Sequence, residues 1–490
     1  MDAQTHRRLS GSLTTFKIVV MVMAAVAPMG AVVGVVPLAI AIGSGASTPA
    51  VFAIAGLALL CFAVGYSAMS KRISAAGGFY TDVARGLGRP PAMAAAALAV
   101  IAYNAMTLLL IAGVGYFGNL VLFLLTDITI SWWVIAGAAI AVVGFLGIRE
   151  IAIAGTVLLV LLGIEMMVLV SLDIAIVLDK GLDAFPTASM DPTNVLSTGS
   201  IGLGLMFAFT TFLGFESAAI YAEEANDAAR SVSRAAFIAV FVIASFYVLT
   251  TWITIGALGV DQAQSSAGQQ LGTLYFGLSD QFLSSALTKL MQVTMVTSLF
   301  ASMLAMHNAA SRYMYAVGRE RALLPGWIGK LSSFGTPARA SAVQTTISAL
   351  VVSIFALGKL DPYRNMGTIM TGIGTLGLIL LQAMAATAIL RYFWRRGERP
   401  VAVLIGTSIG LAAFVTAAVL ILKNFETLAG STSTLVHSLP WLLLATAVAS
   451  TFWALRLRAA SPAAYARIGS FGESSSQEDP GDLIASAAQG

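Results

Sequence analysis

Charge is what this chain has least of. Aspartate, glutamate, lysine and arginine make up only 10% of its 490 residues, against about 25% in an ordinary soluble domain. That scarcity excludes a water-facing surface of the usual kind. Cysteine is scarcer still: Cys61 stands alone inside an apolar run, which excludes a disulfide framework and a cysteine metal site. The three histidines, His6, His307 and His437, are too scattered to share a metal ion. No His-Glu-x-x-His pair and no phosphate loop occurs, so neither an intramembrane metalloprotease nor direct use of ATP is expected, and no cofactor is implied. The net charge of +4 implies no nucleic-acid partner, because the basic residues occupy only some of the connections.

What the chain has instead is 58% hydrophobic residues, gathered into long uncharged runs. Each run is long enough to cross a hydrocarbon core of about 30 Å, so the lipid bilayer is the solvent. Runs of this length cross as helices rather than barrel strands. An all-α membrane protein of twelve transmembrane helices is expected, over 18–43, 49–69, 93–124, 131–148, 151–178, 200–222, 235–259, 290–316, 341–358, 367–391, 401–422 and 438–456. The first run is far longer than the core of a cleavable signal. Residues 1–17 read as a cytoplasmic segment, and the Ser-, Ala- and Gly-rich stretch 459–490 as a disordered cytoplasmic tail.

Lysine and arginine set the orientation. With the N-terminus inside, 22 of the 27 basic residues fall in cytoplasmic segments, and only Lys180, Lys289, Lys359, Arg364 and Lys423 fall outside. That asymmetry is the positive-inside pattern, and it places both termini in the cytoplasm of a multi-pass cell-membrane protein.

Two of the spans are interrupted. The first contains Pro28, Gly30 and Gly34 within Ala24–Pro37. Proline removes a backbone donor and glycine admits close approach, so the stretch is either a kink, a close helix contact or a break. The sixth carries Thr210-Thr211-Phe212-Leu213-Gly214-Phe215-Glu216 near mid-membrane. If spans 1–5 and 6–10 are two halves, these interruptions correspond, and the halves enter the membrane from opposite sides. Paired interruptions of this kind point to a transporter's central site, where half-helix ends hold a zwitterion.

Three stretches carry a family resemblance. "FLGFESAAIYAEEANDAARSVSRA" resembles the sixth-helix signature of the amino acid–polyamine–organocation superfamily. "GGFYTDVARGLGR" resembles its loop between helices two and three, and "HNAASRYMYAVGRERALLPGWIGKLSSFGTPARAS" its eighth helix and following loop. The resemblance implies a leucine-transporter-type fold, with inverted repeats over about 18–178 and 200–391 and two extra helices over about 401–456. It also implies a permease for an amino acid or a related small amine such as ethanolamine or a polyamine, working as a proton-coupled importer or as an exchanger. Many members have Gly-Ser-Gly where the first helix unwinds; the matching positions here are Gly30-Ala31-Val32.

The expected substrate-binding residues are therefore Met29, Gly30, Ala31, Val32 and Gly34 in the first span, with Phe209, Thr210, Thr211 and Gly214 in the sixth. Phe209 is either a gate over the substrate or a packing ring. Glu165 and Glu216 are mid-membrane carboxylates, which generally mark a pathway. Each is either a proton-coupling or gating group or a hydrogen-bonded strut. By resemblance, Glu165 takes the helix-five position where some proton-coupled members carry a lysine. His307, in the eighth span, is either a structural hydrogen-bonder or a substrate contact. Asp173 and Lys289 lie towards span ends, where snorkelling to the interface is the simple reading.

Overall fold

The computed structural model describes residues 14–72, 78–149, 155–197, 200–212, 214–215, 228–332, 335–429 and 434–469. The helices that matter, in chain order, are α1 (Thr15–Val26), α2 (Pro28–Gly34), α3 (Thr48–Ser70), α4 (Gly78–Leu87), α5 (Arg89–Thr126), α6 (Trp132–Arg149) and α7 (Gly155–Lys180). They continue as α8 (Ile201–Thr211), α9 (Ala228–Leu258), α10 (Ser285–Glu320), α11 (Ala338–Leu357), α12 (Thr368–Arg395), α13 (Val401–Ala429), α14 (Thr434–Ala460) and α15 (Pro462–Arg467).

Among the described residues, eleven helical segments are long and apolar enough to cross a membrane. The sixth expected span is represented by the shorter apolar helix α8, and the rest of it lies outside the described residues. Helices α5 and α10 have 38 and 36 residues. At 1.5 Å per residue they reach about 55 Å, well beyond the hydrocarbon core. This is why the expected spans 93–124 and 290–316 fall short of both.

The packing explains how a chain with so few charges specifies one arrangement. Helix α3 packs on α9, α5 on α10, and α6 on α11. These are spans two and seven, three and eight, four and nine. Pairing of each helix with the one five places later is what two inverted halves impose. Small residues let the backbones approach: a Cβ at Gly56 of α3 would meet Ala244 Cβ of α9 at 2.8 Å. Helices α12 and α13 close the bundle against α5 and α3.

Residues 459–469 depart from the expected disordered tail. Pro462 opens α15 at a position where a missing N–H costs nothing. Tyr465 lies under the Arg89 guanidinium at 5.3 Å. Gly469 N–H faces two acceptors, Tyr80 Oη at 2.7 Å and Glu320 Oε1 at 3.1 Å, while Tyr80 donates to Glu320 Oε2 at 2.6 Å. Residues 462–469 therefore dock on α4 and the end of α10. Residues 470–490 lie outside the described residues.

Candidate functional site

The first span breaks at Ala27, which adopts the left-handed conformation (φ 53°, ψ 73°). Proline disfavours the α region for the residue before it, so Pro28 forces the break onto its neighbour. The unwound point thus lies ahead of Gly30-Ala31-Val32, where the sequence pattern had located it. Those three residues are helical, and Ala31 N–H donates to Ala27 O at 2.9 Å. Ala27 has no capping side chain, and the N–H groups of Met29 and Gly30 have no acceptor inside α2. The α2 N-terminus therefore presents the positive end of a dipole near mid-membrane, with donors that must find partners outside α2.

Helix α8 ends opposite it. Thr211 Oγ1 donates to Ala208 O at 2.7 Å and Phe212 N–H to Phe209 O at 3.2 Å, so the last turn tightens. Gly214 then takes φ 109°, which a Cβ would resist. Glu216 lies outside the described residues.

Between these two ends lies a cavity. Its floor is Ala27, Gly30, Ala31 and Gly34, facing Thr210 and Thr211 of α8. Its walls are Met106, Leu109, Leu110 and Phe117 of α5 and Leu299, Ser302 and Met306 of α10. No charged side chain is among these described lining residues. Four hydroxyls line it. Thr210 donates to Met206 O at 2.7 Å and shares a 2.6 Å bond with Thr375, Thr211 is tied to Ala208, and Tyr363 donates to Gly34 O at 2.7 Å. Ser302 Oγ is the one with no partner among the described residues, though it is buried. At one end of the cavity Tyr363 stacks on Tyr116, ring centroids 4.7 Å apart at 15°. The segment at Gly272 lies against Tyr116, whose Cε1 would be 2.6 Å from a Cβ there.

The remaining expected residues sit around this cavity rather than in it. Met29 and Val32 are fully buried on the far side of α2. Glu165, 4% exposed, accepts a hydrogen bond from Ser298 Oγ of α10 at 2.9 Å, and the Met29 backbone N–H meets the same carboxyl. It thus joins α7, α10 and the free end of α2. Phe209 packs on Phe414 of α13 at 5.8 Å. His307 bonds Ser341 Oγ of α11 at 2.7 Å and lies against Gly147 of α6. It follows the lining residue Met306 directly, and one residue turns a helix by about 100°, which points it away from the cavity. Asp173 does not snorkel: its carboxylate turns inward and accepts from Thr250 Oγ1 of α9 at 2.6 Å.

Ser302 and Tyr363 were not among the expected residues. Ser302 shares one face of α10 with Leu299 and Met306, but the spacing alone does not say which face of α10 meets the cavity. Tyr363 carried no local signal, because its role depends on contact with Gly34 across the bundle.

A family model described as amino acid permease matches residues 13–452. The branched-chain amino acid permease BcaP of Bacillus subtilis (strain 168) is 24% identical over 343 residues, covering 65% of this chain and 70% of that one. An uncharacterised transporter of Rhizobium meliloti (strain 1021) is 26% identical over 312 residues, covering 62% of this chain and 64% of its own length. Among solved structures, a manganese transporter of Eremococcus coleocola superposes with a TM-score of 0.57 over 95% of this chain and 100% of that chain, at 11% identity. That likeness speaks for the fold alone.

Proposed function

The chain belongs to the amino acid permease family, and we propose that it imports an amino acid with an apolar side chain across the cell membrane, driven by proton entry and working by alternating access. The observation that carries this reading is the cavity between two broken-helix ends, with apolar walls and no charged side chain among the described lining residues. A zwitterion needs no counter-ion there. Its carboxylate meets the Gly30 N–H at the α2 N-terminus, and its ammonium faces the carbonyl end of α8 and the unpaired Ser302 hydroxyl. The side chain then lies among Met106, Leu109, Leu110, Leu299 and Met306. Likeness to a permease named for branched-chain amino acids supports the same substrate class.

A polyamine would bring two or more ammonium groups against a wall whose described residues carry no carboxylate, an expensive burial. Ethanolamine has no carboxylate for the α2 end. Amino acids are favoured over both.

Glu165 supplies the coupling. As a carboxylate it holds the Met29 N–H and Ser298 together, and as a neutral acid it holds them less tightly. Proton gain therefore loosens the first span from α7 and α10, which is the kind of movement alternating access requires. The basic-residue asymmetry supports cytoplasmic termini, with Tyr116 and Tyr363 at the outer end of the cavity.

The substrate class is tested by displacing bound radiolabelled L-leucine from the purified protein with a panel of amino acids, ethanolamine and putrescine. Displacement by apolar amino acids and not by the amines is expected. Displacement by putrescine alone would overturn the assignment.

A further inference from the structure

Helix α10 ends at Glu320, and the segment that follows the last span returns to hold that end. Glu320 is 5% exposed and Tyr80 of α4 is 2% exposed, so a carboxylate and a phenol meet away from water. Tyr80 Oη donates to Glu320 Oε2 at 2.6 Å. The Gly469 N–H completes the group, 2.7 Å from Tyr80 Oη and 3.1 Å from Glu320 Oε1. Arg467 Nε donates to the Glu320 carbonyl at 3.1 Å. The last turn of a helix leaves its oxygens without intrahelical partners, and a cation is favoured there. Three stretches far apart in the chain thus meet at one residue.

Bundle packing does not require this contact. Helix α4 lies against α5 and α12, and each spanning helix satisfies its backbone within itself. Residues 462–469 come after the last span, and fixing them costs backbone entropy. What offsets that cost is specific to this place. Ala464 and Ile468 are buried, and the Arg89 guanidinium lies over the Tyr465 ring. Gly469 takes φ 80° so close to α4 that a Cβ would meet Ala84 Cβ at 2.6 Å. The residue so held is the end of a lever. Helix α10 is continuous from Ser285 to Glu320 and carries Leu299, Ser302 and Met306 of the cavity wall. Ser302 lies about 27 Å from Glu320 along the axis. Rigid elements of this kind carry coupling between distant sites, so a tie at Glu320 restrains the cavity wall.

We propose that residues 462–469 are a strap on the cytoplasmic side, which holds the Glu320 end of α10 against α4 and must let go for the cavity to open inward. The proposal rests on alternating access around the cavity and on cytoplasmic termini. Strapped, α10 is held to α4, which is itself fixed to α5 and α12. Released, the Glu320 carboxylate turns to water and α10 is free to tilt. The strap therefore biases the protein against its inward-open state and sets how often the cavity meets the cytoplasm.

The test reads that opening directly. Ala31→Cys on the cavity lining, in a Cys61→Ala background, is labelled with a membrane-impermeant thiol reagent. The reagent is added to right-side-out or to inside-out membrane vesicles carrying the full chain. Gly469→Ala and Tyr80→Phe are each compared with the native strap. The first puts a methyl group against Ala84 at a φ that alanine resists. The second keeps the ring and removes the hydroxyl that joins Gly469 to Glu320. Each is expected to speed labelling from the cytoplasmic side by about fivefold or more, while labelling from the outer side stays level or falls. Cytoplasmic labelling that is measurable but unchanged in either variant would overturn the strap. So would an equal rise from both sides, which marks general loosening. If Gly469→Ala does not fold, Tyr80→Phe decides alone. Cytoplasmic labelling absent from native and variant protein alike would instead remove alternating access around this cavity, and the strap with it.

Discussion

Tyr363 donates a 2.7 Å hydrogen bond to the Gly34 carbonyl and stacks on Tyr116, so one side chain joins the turn before α12 to the end of α2 and to α5. Removing the hydroxyl in Tyr363→Phe keeps the ring stack and loses the tie to the first span. A buried hydrogen bond of this kind is worth about 1 kcal/mol, or roughly fivefold in an equilibrium. A cysteine introduced at Ala31, in a Cys61→Ala background, reports on the opening. Tyr363→Phe is expected to speed its labelling by an outside thiol reagent by about that factor.

The cavity's polar economy gives a second prediction. Among the described lining residues Ser302 holds the one hydroxyl without a described partner, and Gly30 lies where a Cβ would come within 3.0 Å of Leu299 Cδ2. Ser302→Ala is expected to weaken L-leucine binding by about 1 kcal/mol, through the lost contact to the ammonium. Gly30→Ala is expected to cost about 1–3 kcal/mol by crowding the same space, and to penalise leucine more than alanine. Equilibrium binding of the two labelled amino acids checks both.

How much of this could be read from the chain differs from residue to residue. The spans were legible because an apolar run in lipid has only one way to satisfy its backbone. Thr210, Thr211 and Gly30 were legible because proline and glycine interrupt the runs beside them. The break at Ala27 was not, since the constraint comes from Pro28 and falls on a residue that looks like an ordinary helix former. His307 was legible as a polar residue in a membrane helix, but its direction depends on the rotation of α10, which packing against α6 and α11 decides. Ser302 was hidden for the same reason: α10 buries Thr288, Gln292, Thr294, Ser298 and Ser302 alike, and only the assembled bundle separates the one that faces the cavity.

Asp82 provides a pH-dependent prediction away from the membrane spans. It lies in α4, is 5% exposed, and its Oδ2 has no hydrogen-bond partner among the described residues. Burial pushes its carboxyl up to about 8, from an unfolded value of about 3.9. The folded state therefore favours the protonated acid. That contribution to stability is fully present below about pH 4 and is lost as pH rises through about 8. In detergent, the native protein is expected to melt at a lower temperature at pH 8.5 than at pH 6, and Asp82→Asn to flatten that difference. An unchanged slope in Asp82→Asn would remove Asp82 as its source.

The coupling role proposed for Glu165 rests on its joining Ser298 to the α2 end. Glu165→Gln keeps the size and the ability to hydrogen-bond but cannot exchange a proton. It is expected to retain leucine exchange while losing about tenfold or more of gradient-driven accumulation. Loss of exchange as well would make Glu165 a strut rather than a carrier.

The most direct measurement is L-leucine uptake into proteoliposomes of the purified chain, with and without an inward proton gradient. The account predicts accumulation above the outside concentration only when the gradient is present, abolished by a protonophore. Leucine uptake that equilibrates at the same rate and level with or without the gradient would contradict it.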